Sequence, residues 1–237
     1  MCDDHRLHFS RRGLLVAGAA TWAGAVAMPA AAQQAAPVAP PNAITPEAAL
    51  QRLVEGNARY VANAPANKDY SAGRAARTTA QYPFAAILGC ADSRVAPELA
   101  FDQGPGDLFV VRVAGNFVTP DGLASLEYGA AVLGTKVIMV LGHSNCGAVN
   151  ATVGALQSGN TLPGHIADLV RAMKPGIEPV LKQAGDDLPQ RAVIANVRAN
   201  VQRLNEATPI LADMVATGKI RVVGAVYDLA TGKVNPV

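Results

Sequence analysis

Four short, largely apolar runs constrain this chain more than any other feature. They span 84–88 (ended by Gly89), 108–113, 136–142 and 220–227. None shows the polar alternation of a half-exposed strand, so each reads as a strand buried on both faces. Helical patterns lie between them: 123–133, a stripe of Val193, Val197, Val201 and Leu204, and 210–217 stopping at Gly218. Buried strands alternating with helices imply a parallel sheet. The expected fold class is α/β, a mostly parallel central β-sheet flanked by helices, with an N-terminal helical arm. The arm starts at Thr45-Pro46-Glu47, with Thr as cap, Pro at the first position and an acid in the first turn. Leu50, Leu53, Val54 and Val61 form its predicted buried stripe. Residues 63–79 are polar and irregular, and no internal repeat is visible.

Half of the 237 residues are hydrophobic and 16% are charged, which excludes disorder for most of the chain. A net charge of +2 supplies no basic face, so nucleic acid is not an expected partner. The first 32 residues read as an export signal. A Ser10-Arg11-Arg12 step precedes an Ala/Gly-rich uncharged run that reaches Ala30-Ala31-Ala32. The paired arginines resemble a twin-arginine signal, with a general secretory leader as the alternative, and the expected location is periplasmic. The run is too short and too weakly apolar for a stable membrane anchor. Residues 33–44 are Ala/Pro-rich and read as a linker, leaving 45–237 as the main folded domain. Removal of the signal leaves two cysteines, Cys90 and Cys146, and two histidines, His143 and His165.

Ligands in open α/β sheets gather beyond the carboxyl ends of strands. The first run leads directly into Cys90-Ala91-Asp92-Ser93-Arg94, and the third into His143-Ser144-Asn145-Cys146. Two parallel strands therefore deliver Cys90 from one and His143 with Cys146 from the other. A Cys2His set is a catalytic zinc triad with its fourth position left for water. Taken singly, each residue has an ordinary role as packing thiol, loop histidine, helix cap or surface charge; their coincidence at equivalent strand ends favours metal. A Cys90–Cys146 disulfide leaves His143 and Asp92 unexplained, and a Cys–His nucleophile does not need the second thiol.

The residues that carry this pattern resemble the β-class carbonic anhydrases: C-A-D-S-R-V at 90–95, F-D-Q-G-P-G-D-L-F-V-V-R-V-A-G-N at 101–116, S-L-E-Y-G at 125–129 and G-H-S-N-C-G-A-V at 142–149. The likeness continues at 162–166, 196–197 and 222–234. It implies one Zn2+ per chain on Cys90, His143 and Cys146, and the reversible hydration of CO2 to bicarbonate and a proton. By the same resemblance Asp92 is the dyad acid, a zinc ligand only in a closed state, and Arg94 draws it away from the metal. Gln81, Phe109, Tyr128 and Gly147 match substrate-pocket positions, some contributed across a dimer interface, so a homodimer or higher even oligomer is expected. Members with a bicarbonate pocket away from the metal carry a Trp three residues before the first cysteine; here that position is Ile87. Two other readings stand beside this one: hydrolysis of COS or CS2 on the same scaffold, and a non-catalytic zinc module closed by Asp92.

Overall fold

The computed structural model describes residues 39–66, 69–71 and 73–237. The expected export signal, 1–32, lies outside the described residues, as does the first half of the expected linker, 33–38. The end of that linker is anchored: Asn42 is buried, and its Nδ2 donates to the carbonyls of Pro83 and Leu133. Among the described residues, no helix is long and apolar enough to cross a membrane.

The four apolar runs form strands β1 (Ala85–Gly89), β2 (Leu108–Arg112), β3 (Val137–His143) and β4 (Arg221–Tyr227). They pair in the order β2-β1-β3-β4, all parallel, and β5 (Val234–Pro236) adds antiparallel to β4. This is the expected α/β architecture, with β2 at one edge. The helices are α1 (Pro46–Val61), α2 (Pro97–Ala100), α3 (Pro120–Ala131), α4 (Gly147–Ser158), α5 (Ile166–Leu181), α6 (Leu188–Asn205) and α7 (Ile210–Ala216). Among its described residues, the stretch read as irregular contains a single short 3-10 turn, Ala76–Thr78.

Alternation along β1 and β3 divides the core in two. Ala86, Leu88, Ile138 and Val140 face the helices α3 to α7, whereas Ala85, Ile87, Val137, Met139 and Leu141 face α1 and α2. Helix α6 lies directly on the sheet. A Cβ at Gly142 would sit 2.7 Å from Val197 Cγ2, and one at Gly224 2.8 Å from Val197 Cγ1. The two glycines form the hollow that admits the valine stripe.

Two expectations need correction. The N-terminal helix is capped as expected, with Thr45 Oγ1 accepting from the Ala48 N–H, and Ala49 and Leu53 are wholly buried in the chain's own core, but its predicted stripe is only partly right. Its buried face is Ala49, Leu53, Gly56 and Asn57, while Val54 and Val61 are exposed. Gly56 sets that face, because a Cβ there would run into the Phe101 carbonyl. The helix expected at 123–133 begins three residues earlier, where Thr119 Oγ1 caps it through the Gly122 N–H.

Candidate metal centre

Register places the chemistry. Gly89 pairs with Leu141 across the β1–β3 ladder, so Cys90 emerges level with Gly142, one step short of His143. Asn145 has φ +55°, which lets the tight turn 143–146 reverse and return Cys146 to the same spot. Ser144 ties that turn to β4: its N–H donates to the Tyr227 carbonyl and its Oγ accepts from the Leu229 N–H. The outcome is a buried group, Cys90, His143 and Cys146, whose ligand atoms all lie within 4.8 Å of one another.

The donor set fits a tetrahedral zinc ion. The two Sγ atoms are 3.9 Å apart, against about 3.8 Å for two thiolates at tetrahedral angles around zinc and about 2.05 Å for a disulfide. His143 Nδ1 lies 2.9 Å from the Ser144 carbonyl; a carbonyl only accepts, so Nδ1 carries the proton and Nε2 presents a lone pair. That Nε2 is fully buried and has no hydrogen-bond partner. A buried, unpartnered ring nitrogen beside two thiols is a donor set that fits a metal ion.

Electrostatics agree. Cys90 is drawn below its ordinary thiol value, chiefly by the hydrogen bond from Cys146, with His143 and the Gly115 and Asp92 N–H groups adding to it against burial. Cys146 is pushed up by that same contact and then by burial. Without a cation the pair favours one thiolate; a divalent ion stabilises both. Burial lowers the His143 value, but the Cys90 sulfur beside it wins and the net direction is up.

Asp92 stands at the rim, its Oδ2 3.7 Å from His143 Nε2. Arg94 occupies both carboxylate oxygens, with Nε 2.9 Å from Oδ1 and Nη2 2.7 Å from Oδ2, and its main-chain N–H also donates to Oδ1. These hydrogen bonds hold the Asp92 carboxyl far below the usual carboxylate range.

The remaining candidates lie elsewhere in the chain. Phe109 pairs with Ala86 near the amino end of β1, and its ring centroid is 6.4 Å from that of Tyr128. Gln81 and Tyr128 line one groove with Thr79, Pro105 and Leu133. The five residues of β1 separate that groove from Cys90 by about 13 Å of strand alone. One chain therefore does not bring Gln81, Phe109 and Tyr128 to its own metal group. Gly147 is the first residue of α4, adjacent to Cys146, yet a Cβ there would meet no atom within 4 Å. Nothing in the chain's own packing demands glycine at that point. Ile87 is fully buried on the α1 side of the sheet, opposite Cys90.

Sequence reasoning missed the supports around the ligands. The Gly115 N–H donates to Cys90 Sγ at 3.3 Å, and Asn196 Nδ2 on α6 holds the Gly115 carbonyl at 2.8 Å. Arg112 reaches three carbonyls of the Cys90–Val95 loop. Gly115 had a local signal in its run of matched residues, whereas Arg112 and Asn196 act through pairings that only the fold creates.

Comparison with known proteins agrees with this geometry. The family model described as carbonic anhydrase matches residues 85–234. A carbonic anhydrase of Mycolicibacterium smegmatis is 41% identical over 82% of this chain and 94% of its own length. Carbonic anhydrase 2 of Mycobacterium tuberculosis is 39% identical over 79% and 91%. Among solved structures, a Coccomyxa β-carbonic anhydrase in complex with acetazolamide superposes with a TM-score of 0.61 at 30% identity, covering 79% of this chain and 86% of that one. The chain belongs to the carbonic anhydrase family, in its β class, whose reaction is the hydration of carbon dioxide to bicarbonate.

Proposed function

We propose that Cys90, His143 and Cys146 hold one zinc ion per chain and that carbon dioxide is hydrated beside it. The observation that carries this is the buried, partnerless His143 Nε2 set against two thiols 3.9 Å apart. Bound there, zinc supplies a Lewis acid that makes water nucleophilic near neutral pH. The chain's own residues do the rest. Asp92, kept ionised by Arg94, accepts a hydrogen bond from the attacking water and so aims an oxygen lone pair at the carbon. With Arg94 occupying both carboxylate oxygens, Asp92 stays off the metal at neutral pH. Burial of the ligand atoms keeps bulk water from competing for the thiolates.

Gln81, Phe109 and Tyr128 serve the metal group of a second copy, in a homodimer or higher even oligomer. Support comes from their distance to their own Cys90 and from β2, which carries Phe109, being an edge strand. Gln81 is then the polar donor for substrate in an otherwise apolar pocket, and the open space at Gly147 is where substrate or partner approaches. Ile87 offers no donor for bicarbonate away from the metal. Residues 1–32 direct export through a twin-arginine route to the periplasm.

Stopped-flow hydration of CO2 by the purified protein tests the reaction; COS or CS2 hydrolysis without CO2 hydration would assign the alternative chemistry. Mixing Gln81→Ala with Cys90→Ser, each inactive alone, tests the shared site. Dissociation and reassociation should restore activity, because the intact ligand set of one chain then meets Gln81 of the other. No recovery would place Gln81 outside the site.

A further inference from the structure

We infer that Arg112 is a positioning residue that fixes the main chain of the Asp92 loop, as Arg94 fixes the Asp92 side chain. The inference rests on the zinc–Asp92 reading above. Arg112 ends β2 and pairs with Gly89, the last residue before Cys90. From there its Nε–H donates to the Cys90 carbonyl at 2.8 Å, and its Nη2 donates to the Asp92 carbonyl at 2.7 Å and the Val95 carbonyl at 2.9 Å. The backbone just past β2 holds the same segment: the Ala91 N–H donates to the Val113 carbonyl, and the Val113 N–H to the Gly89 carbonyl. Inside the loop, the Val95 N–H donates to the Asp92 carbonyl.

The guanidinium fork is thus spent on neutral main-chain carbonyls at both ends and the middle of one six-residue loop. Charge-assisted hydrogen bonds of this kind are about twice as strong as neutral ones, and the planar fork fixes direction as well as distance. The loop carries a metal ligand at its first residue and the proton-accepting carboxylate at its third. Asp92 Oδ2 already lies 3.7 Å from His143 Nε2, so a main-chain shift of about 1 Å would misplace it for the attacking water. Lysine at 112 keeps the charge but not the fork.

The test uses zinc-loaded wild-type, Arg112→Met and Arg112→Lys proteins. Amide hydrogen exchange in peptides covering 90–96 should quicken at least about tenfold in both variants, with the rest of the sheet unchanged. Zinc content and Tm should hold, and kcat should fall at least about tenfold with KM within about twofold, the split expected of lost orientation rather than lost binding. Wild-type exchange in that segment, or a wild-type kcat, would overturn the inference, as would loss of zinc in proportion to activity. If Arg112→Met does not fold, Arg112→Lys carries the same readouts and the same refutation. Exchange does not depend on turnover, so failure of the wild type to hydrate CO2 would refute the functional reading while leaving this result distinct.

Discussion

Replacing Asp92 by Asn separates catalysis from stability at one position. The carboxylate accepts three hydrogen bonds, from Arg94 Nε, Nη2 and main-chain N–H. An amide keeps one oxygen and turns an NH2 donor toward another Arg94 donor, so the pairing breaks. Arg94 is more than half exposed, and exposed ion pairs contribute little to stability; Tm should move by no more than about 3 °C. Zinc should remain, because the three ligands of the buried group are untouched. Activity should behave differently. Losing a positioned proton acceptor costs roughly 10²–10⁴-fold in rate, and the Asn amide also competes as a donor to the attacking water. Stopped-flow CO2 hydration at pH 7.5, with zinc measured on the same sample, reads both quantities. A wild-type rate in zinc-replete Asp92→Asn would refute the dyad, and loss of zinc would show Asp92 to be a ligand.

Gly142→Ala should destabilise the fold by about 1–3 kcal/mol in denaturant unfolding, because its Cβ would press on Val197 Cγ2 and Val193 Cγ1 on α6; Gly147→Ala, with no neighbour within 4 Å, should leave stability unchanged. Burial first, then its hydrogen bond to Tyr60, pushes Tyr227 up to about 12, above about 10 for an unfolded phenol. The unfolded chain therefore releases its proton first, so this contribution to stability is whole below about pH 10 and fades toward pH 12; unfolding measured across that range should be flatter for Tyr227→Phe, and ultraviolet titration of that variant should lack the latest phenol. Arg11→Lys with Arg12→Lys should leave folded, active precursor in the cytoplasm, and unimpaired export would assign the general secretory route instead.

The sheet was legible because strands packed within a parallel sheet need mostly apolar side chains, and 84–88, 108–113, 136–142 and 220–227 meet that demand, with Arg112 and Arg221 at exposed strand ends. The candidate metal group was legible for a related reason: strand ends are where a parallel sheet gathers side chains, and Cys90 and His143 stand there in sequence. Helices α4 and α5 were not legible. The first, Gly147–Ser158, is rich in Ala, Gly and Val with no clear polar face, and the second, Ile166–Leu181, contains Pro175 and Pro179. The helix forms despite them and packs between α4 and α6, close enough that a Cβ at Gly176 would press on Ala199. Val54 and Val61 follow the same heptad logic as Leu53, and only contact with Phe101 decides which face turns inward. The strand read at 84–88 already lay between Gln81 and Cys90; what the sequence did not show was which residues brace the Cys90 loop, and Arg112 became visible only once β2 was in register with β1.

The central claim is that Cys90, His143 and Cys146 bind the zinc on which hydration depends. Titrating zinc into metal-depleted protein while following CO2 hydration tests it most directly, with Cys146→Ser as the parallel sample. Activity should rise linearly and saturate at about one zinc per chain, and Cys146→Ser should gain neither metal nor rate under the same conditions. Full activity before zinc is added, or saturation at one zinc per chain in Cys146→Ser, would contradict the account.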